Sequence, residues 1–254
     1  MLLAIDIGNT NITLGAYQGE ELGPRWRLAT SRTRMPDEYG LQLVGLLSHA
    51  GIEPAQIDGI CIASVVPPLT GKFSEACQAY LGQTPLVVGA GVKTGVRIRV
   101  DDPRTVGSDR VVDAVAVINL YGGPACVVDF GTATTFDAIT IDGDYIGGAI
   151  APSLQVGAEG LFERAAQLPL VEIQAPPGVI GRNTIHAMQS GLVYGYIALI
   201  EGMVARFREQ LGSQMKVIAT GGLAGMMSEH TDVIDVMAPW LTLDGLRIIW
   251  GLNR

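Results

Sequence analysis

Twice in this chain, about half its length apart, an apolar strand runs into Asp-x-Gly and turns back through hydroxyl residues. The first copy is Leu2-Leu-Ala-Ile-Asp6-Ile7-Gly8-Asn9-Thr10-Asn11-Ile12-Thr13. The second is Cys126-Val-Val-Asp129-Phe-Gly131-Thr132-Ala-Thr134-Thr-Phe-Asp137. Each begins as a short apolar run that reads as a buried strand, and each resumes as a second strand after a polar turn. Gly8 is expected to supply φ > 0 or a close backbone approach. Two such copies predict two similar lobes, because a repeated supersecondary unit implies a repeated architecture.

The turn chemistry points at anions. Backbone N–H groups in a glycine turn, with the Thr10 and Thr13 hydroxyls beside them, make a concave anion site. A carboxylate at the strand end repels bare phosphate, so Asp6 suits a phosphate that arrives with a metal ion. Taken singly, either copy also reads as an ordinary hairpin.

The composition removes several classes. The 254 residues are 48% hydrophobic and 17% charged, which gives a globular chain with ample core. A net charge of −8 and the lack of a basic cluster argue against nucleic-acid binding. No apolar run reaches the ~18 residues a bilayer span needs, and no signal peptide is evident at the N-terminus. Cys61, Cys77 and Cys126 each sit in an apolar stretch. Buried reduced thiols fit them better than a disulfide or zinc site, so a cytoplasmic location is expected.

After the first hairpin, a third strand is expected at 25–30, a helix from Pro36 to about Ala50, a strand at 57–66, a helix at 69–81 and a short strand at 86–88. An irregular strand over 95–100 leads to Gly107-Ser108-Asp109-Arg110 and an apolar helix. Ser108 is expected as its N-cap, and Asp109 suits the positive helix end. Arg110 opposes the macrodipole, and a broken local rule at a glycine junction marks a candidate site. The lobe boundary is placed in or near this helix, giving lobes at 1–117 and 118–254.

The second lobe repeats the plan with strands near 125–129, 134–141 and 145–150 and a helix at 154–166. A long helix over 183–211 carries Gly191, Gly195 and Gly202, which suit either a subunit interface or core packing. A strand at 216–220 runs into Gly221-Gly222, which would let a ring or ribose approach the backbone or simply turn the chain. A short strand at 233–237 and an amphipathic helix at 239–250 complete the chain.

Taken together, DIGNTNIT at 6–13, DDPRTVGSDR at 101–110, DFGTATTFD at 129–137, GGAIAP at 147–152, IGRNTIHAMQSGLVYGY at 180–196, ATGGLA at 219–224 and PWLTLDGLRII at 239–249 resemble the type III pantothenate kinases end to end. The resemblance implies an α/β fold of the actin-like ATPase superfamily: two ribonuclease-H-like lobes with an ATP cleft between them. It implies ATP-dependent phosphorylation of pantothenate, the first step toward coenzyme A. Asp6, Ile7, Gly8, Asn9, Thr10, Asn11, Ile12, Thr13 and Thr132 then hold ATP, with Asp6 near its magnesium ion. Val100, Gly107, Ser108, Asp109, Arg110 and Thr184 contact pantothenate, with Asp109 as general base. Asp129 matches a ligand of a monovalent cation, potassium or ammonium. Thr184 matches a residue lent across a homodimer.

Two positions depart from the family pattern. Val100 stands where tyrosine is common, and Ser153 where glycine is frequent. A competing reading is a family relative that serves as an accessory factor for transcription. Such a factor could dispense with the base, the substrate arginine and the phosphate turns, and all of these are present. His49, His186 and His230 are scattered and not spaced as metal ligands.

Overall fold

The computed structural model describes all 254 residues, as two compact units. One comprises Met1–Tyr121 together with Trp240–Arg254, and the other Gly122–Pro239. In chain order the elements are β1 (Leu2–Ile7), β2 (Asn11–Gln18), β3 (Glu21–Ala29), α1 (Pro36–His49), β4 (Gly59–Ser64), α2 (Pro67–Leu81), β5 (Leu86–Val87), β6 (Arg97–Ile98) and α3 (Ser108–Leu120). There follow β7 (Ala125–Phe130), β8 (Ala133–Ile139), β9 (Asp144–Pro152), α4 (Leu154–Arg164), α5 (Thr184–Leu211), β10 (Lys216–Gly221), α6 (Ala224–Ser228), β11 (Val236–Met237) and α7 (Leu241–Leu252).

In the first unit the strand order is β3-β2-β1-β4-β5, antiparallel on the hairpin side and parallel from β1 to β5. Central strand β1 is apolar from Leu2 to Ile5 and again at Ile7, interrupted only by Asp6 near its end, because both of its faces are covered. Leu3, Ile5 and Ile7 join Ile12 and Leu14 of β2 in a core with Tyr39 and Leu43 of α1 and Phe73 of α2. The opposite face receives α7, whose Leu243 lies against Gly15 and whose Asp244 Oδ1 accepts a 2.7 Å hydrogen bond from Tyr17 Oη. Burial, reinforced by that carboxylate, pushes the Tyr17 hydroxyl well above its ordinary pKa.

In the second unit the order is β11-β10-β7-β8-β9, which reproduces the first with β7 in place of β1. Its core gathers Val128, Phe136, Val193, Ile197, Ile200 and Val217. In both hairpins the carboxylate lies opposite a threonine, Asp6 opposite Thr13 and Asp129 opposite Thr135, with the second turn one residue shorter. The predicted duplication is therefore a duplication of sheet, hairpin and carboxylate.

Several local readings change. Strand β1 continues through Asp6 to Ile7. Pro67 and Pro68 start α2 as well as ending β4, since proline's fixed φ and missing N–H suit the first helical positions. The last helix begins at Leu241, and it packs with the first unit through α3 and β1. A single cut between 117 and 118 does not anticipate that return. Its physical basis is a tight helix pair: a Cβ on Gly245 would meet the Val112 carbonyl oxygen at 2.2 Å. All three cysteines are buried free thiols. No helix is long and apolar enough to cross a membrane.

Candidate active site

The first turn is closed by its own backbone. Gly8 N donates to Asn11 O at 3.0 Å, and a Cβ on Gly8 would lie 3.0 Å from that same oxygen. Gly8 is not among the positive-φ glycines, so close approach and not handedness is what requires glycine. Asn9, Thr10 and Asn11 are exposed, while Asp6 and Thr13 are half-buried. The turn is fastened from behind: Thr30 Oγ1 donates to Gly8 O at 2.7 Å, and Thr30 N donates to Thr10 O at 2.9 Å.

The second candidate group is held to the same sheet end. Parallel pairing sets Ser64 of β4 beside Ile7 of β1. Ser108 Oγ accepts from Ser64 N and donates to Ser64 O, both at 3.0 Å. Ser108 is thus not the N-cap, a position taken by Gly107; its hydroxyl is committed to a strand 44 residues away. The carboxyl ends of adjacent parallel strands are where α/β sheets bind ligands, and here they gather the Asp6–Thr13 turn and the Gly107–Arg110 turn.

Gly107 makes room for the acid. A Cβ there would stand 2.4 Å from Asp109 Oδ1. That oxygen accepts from Arg110 N at 2.8 Å, which fixes the carboxylate in the first turn of α3. Asp109 and Arg110 are both half-buried. One helical turn on, Asp113 is a buried carboxylate, 3% exposed, which the sequence reading passed over. Its signal was an acidic residue four positions after Asp109 inside an otherwise apolar helix. Val100 is half-buried, just beyond β6.

In the second unit Asp129 is half-buried at the end of β7, and Thr132 is exposed in the turn after it. Gly221, at φ +90°, leaves space against this carboxylate, since a Cβ would lie 2.5 Å from Asp129 Oδ1. A Cβ on Gly131 would lie 3.3 Å from Asp129 Oδ2. Glycine at both positions therefore lets the backbone come close to each carboxylate oxygen, where any side chain would intrude. Nearby, Thr134 and Tyr196 share a hydrogen bond, and burial raises the Tyr196 hydroxyl pKa, with Asp129 contributing. No group of three or more His, Cys, Asp or Glu side chains is arranged to hold a metal. A magnesium ion that arrives on a nucleotide needs only one or two protein carboxylates.

Thr184 is exposed as the first residue of α5, whose N-cap Asn183 accepts from His186 N at 2.9 Å through Oδ1. Ser153, at a departing position, caps α4 by accepting from Val156 N at 3.3 Å. A serine there is accommodated as an N-cap.

Solved structures of similar fold include a Baf family transcriptional activator from Campylobacter jejuni, with TM-score 0.64, 18% identity and coverage of 99% of this chain and 98% of that one. They also include an inorganic polyphosphate/ATP-glucomannokinase from Arthrobacter sp. strain KM, with TM-score 0.54, 16% identity and coverage of 100% and 99%. At these identities the likeness is one of fold alone: the chain shares the mixed α/β fold of these proteins, built as two sheet-centred units. The model of the type III pantothenate kinase family matches residues 2–206. Type III pantothenate kinases of Moorella thermoacetica and of Roseiflexus sp. (strain RS-1) are each 52% identical over the whole of both chains. That of Geobacillus kaustophilus is 49% identical over 100% of this chain and 98% of its own. The chain belongs to the type III pantothenate kinase family.

Proposed function

We propose that this protein transfers the terminal phosphoryl group of ATP to the primary hydroxyl of pantothenate, giving 4'-phosphopantothenate. The observation that carries the reading is the pairing of two site turns at one sheet end, joined through Ser64 and Ser108, in a chain of this family. Phosphoryl transfer asks for positioning and charge neutralisation more than for covalent help. Residues 6–13 and Thr132 bind the phosphates of ATP. Asp109 accepts the proton of the attacking hydroxyl, Arg110 pairs with the pantothenate carboxylate through two parallel bonds, and Val100, Gly107, Ser108 and Thr184 complete the substrate contacts. Asp6 lies beside the magnesium of MgATP, which neutralises phosphate charge. Asp129 would be a ligand of a monovalent cation, potassium or ammonium, which would offset its charge.

The active form is a homodimer in which Thr184 serves the neighbour's site. Two features support this. On α5, Gly191 and Gly195 are exposed, and a Cβ on either would meet nothing within 4 Å. They therefore do not serve packing inside the chain. Large apolar side chains also stand exposed near the start of α5, with Ile180 at 88% and Ile185 at 50%, and on α4 with Phe162 at 50%. The working location is the cytoplasm, where ATP and reduced thiols coexist.

The test is an ADP-release assay over a panel of small alcohols that includes pantothenate, run with magnesium and with potassium against a potassium- and ammonium-free control of equal ionic strength. Pantothenate should be the preferred acceptor, and potassium should raise the rate. Failure of pantothenate to release ADP with all cations supplied would remove the reading. Equal rates with and without potassium would remove the cation from Asp129.

A further inference from the structure

The loop between β3 and α1, residues 30–35, is densely hydrogen-bonded, and several of its bonds fix the backbone up to one arginine. Thr30 is tied to both sides of the first turn, through Gly8 O and Thr10 O. The next residue, Ser31, is gripped by Tyr39, whose hydroxyl donates to Ser31 O at 2.7 Å and accepts from Ser31 N at 3.3 Å. Tyr39 is itself fully buried against Phe73, with ring centroids 4.4 Å apart. Lys72 of α2 donates through Nζ to Arg32 O at 2.9 Å and to Arg34 O at 2.7 Å. Three consecutive residues thus have their backbone fixed, and the third is Arg32.

The Arg32 side chain is exposed and reaches back to the turn, where Nη2 donates to Asn9 Oδ1 at 3.2 Å. A neutral amide oxygen is a weak partner for a guanidinium. Charge-assisted bonds to anionic oxygen are roughly twice as strong, and the arginine fork matches two oxygens of a phosphate. Arg34, two positions on, is occupied differently: Nη1 donates to Gln42 Oε1 at 2.9 Å and the guanidinium lies over the Tyr39 ring. The Lys72 ammonium is spent on carbonyls. Only Arg32 is both pinned beside the turn and left facing a neutral group.

We propose that Arg32 is a nucleotide-binding residue that donates to the phosphate oxygens of ATP at the 8–11 turn. Lys72 and Tyr39 act as positioning residues that hold its backbone. This rests on the reading of that turn as an ATP phosphate site. Ordering a long side chain costs rotamer entropy. Fixing the backbone of residues 30–34 beforehand confines what remains to be ordered to the side chain.

The test measures ATP and adenosine binding by calorimetry and both substrate KM values, in the wild type, Arg32→Gln, Arg32→Lys, Arg34→Gln, and Arg32→Gln made in an Asn9→Ala background. Arg32→Gln should weaken ATP by about 10–100-fold, the value of a bond to a charged group. Arg32→Lys should recover part of this, and the pantothenate KM and adenosine binding should stay within about twofold. Arg34→Gln should match the wild type. Unchanged ATP binding in Arg32→Gln overturns the proposal, and so does equal weakening of adenosine. Loss of the Arg32 effect in the Asn9→Ala background also overturns it, because the arginine would then act only through Asn9. A wild type that binds no ATP overturns the reading of the turn, and this assignment with it.

Discussion

Ser108 and Ser64 are joined in both directions: the Ser108 hydroxyl accepts the Ser64 N–H and donates to the Ser64 carbonyl, each at 3.0 Å. One side chain thereby sets the start of α3 against the end of β4. Ser108→Ala leaves a part-buried N–H and C=O without that partner. We predict a loss of about 1–3 kcal/mol in chemical denaturation. The pantothenate KM should rise while ATP binding is kept. Wild-type stability together with wild-type KM would show that the bridge positions nothing.

The neighbouring acid gives the sharpest kinetic expectation. Asp109→Asn keeps size and removes the proton acceptor, so kcat should fall by about 10²–10⁴-fold with ATP binding intact. Gly107→Ala should mimic part of this without touching the acid, because its Cβ would stand 2.4 Å from Asp109 Oδ1. Relieving that contact shifts the carboxylate, and a misplacement of about 1 Å costs roughly 10²-fold in a positioned reaction. Steady-state kinetics checks both, and a wild-type kcat in Asp109→Asn would take this residue out of the mechanism.

Mixed dimers test the cross-subunit role of Thr184. Thr184→Ala and Asp109→Asn chains should each be weak alone. If Thr184 serves the partner's site, both lesions can fall in one composite site and leave the other whole. Activity should then recover after subunit exchange. Absence of recovery, with exchange verified by mass, would assign Thr184 to its own chain.

Alkaline stability should follow the thiols. Burial pushes Cys61 and Cys77 up to about 12, and Cys126 is raised by burial together with the nearby Asp137 carboxylate. The unfolded thiols titrate near 9, so above that pH the unfolded chain releases protons that the folded chain retains. The folded state binds more protons there, and stability falls as pH rises. It should be unaffected by these groups below about 9 and decline from there toward 12. Denaturant midpoints across pH 7–11 test the slope. At pH 8 a thiol reagent should label the native protein far more slowly than the unfolded chain.

Much of this molecule could be read from local pattern. The strand-turn copies at Asp6 and Asp129 were visible because apolar period and turn residues are local signals, and on both sheets the carboxylate proved to lie opposite a threonine. What was not legible depended on partners distant in sequence. Ser108 looked like a cap by spacing alone, yet its partner is Ser64. At Gly8 the sequence allowed either a positive φ or a close backbone approach, and the Asn11 carbonyl at 3.0 Å from a would-be Cβ decides for the second. Arg32 carried no motif, and only Thr30, Tyr39 and Lys72 around it give it a direction. The path of α7 was equally hidden, since an amphipathic helix declares a buried face without declaring against what.

That path has a consequence for synthesis. The first unit is made of the chain's beginning and its last fifteen residues, whereas the second is one continuous stretch. During translation, β1 to α3 emerge early and must wait with the face meant for α7 uncovered. The inserted unit leaves the ribosome whole before that face is closed. The half that carries Asp6 and Asp109 is thus begun first and completed last, and its apolar face is open to chaperones and to aggregation for most of the time the chain is being made.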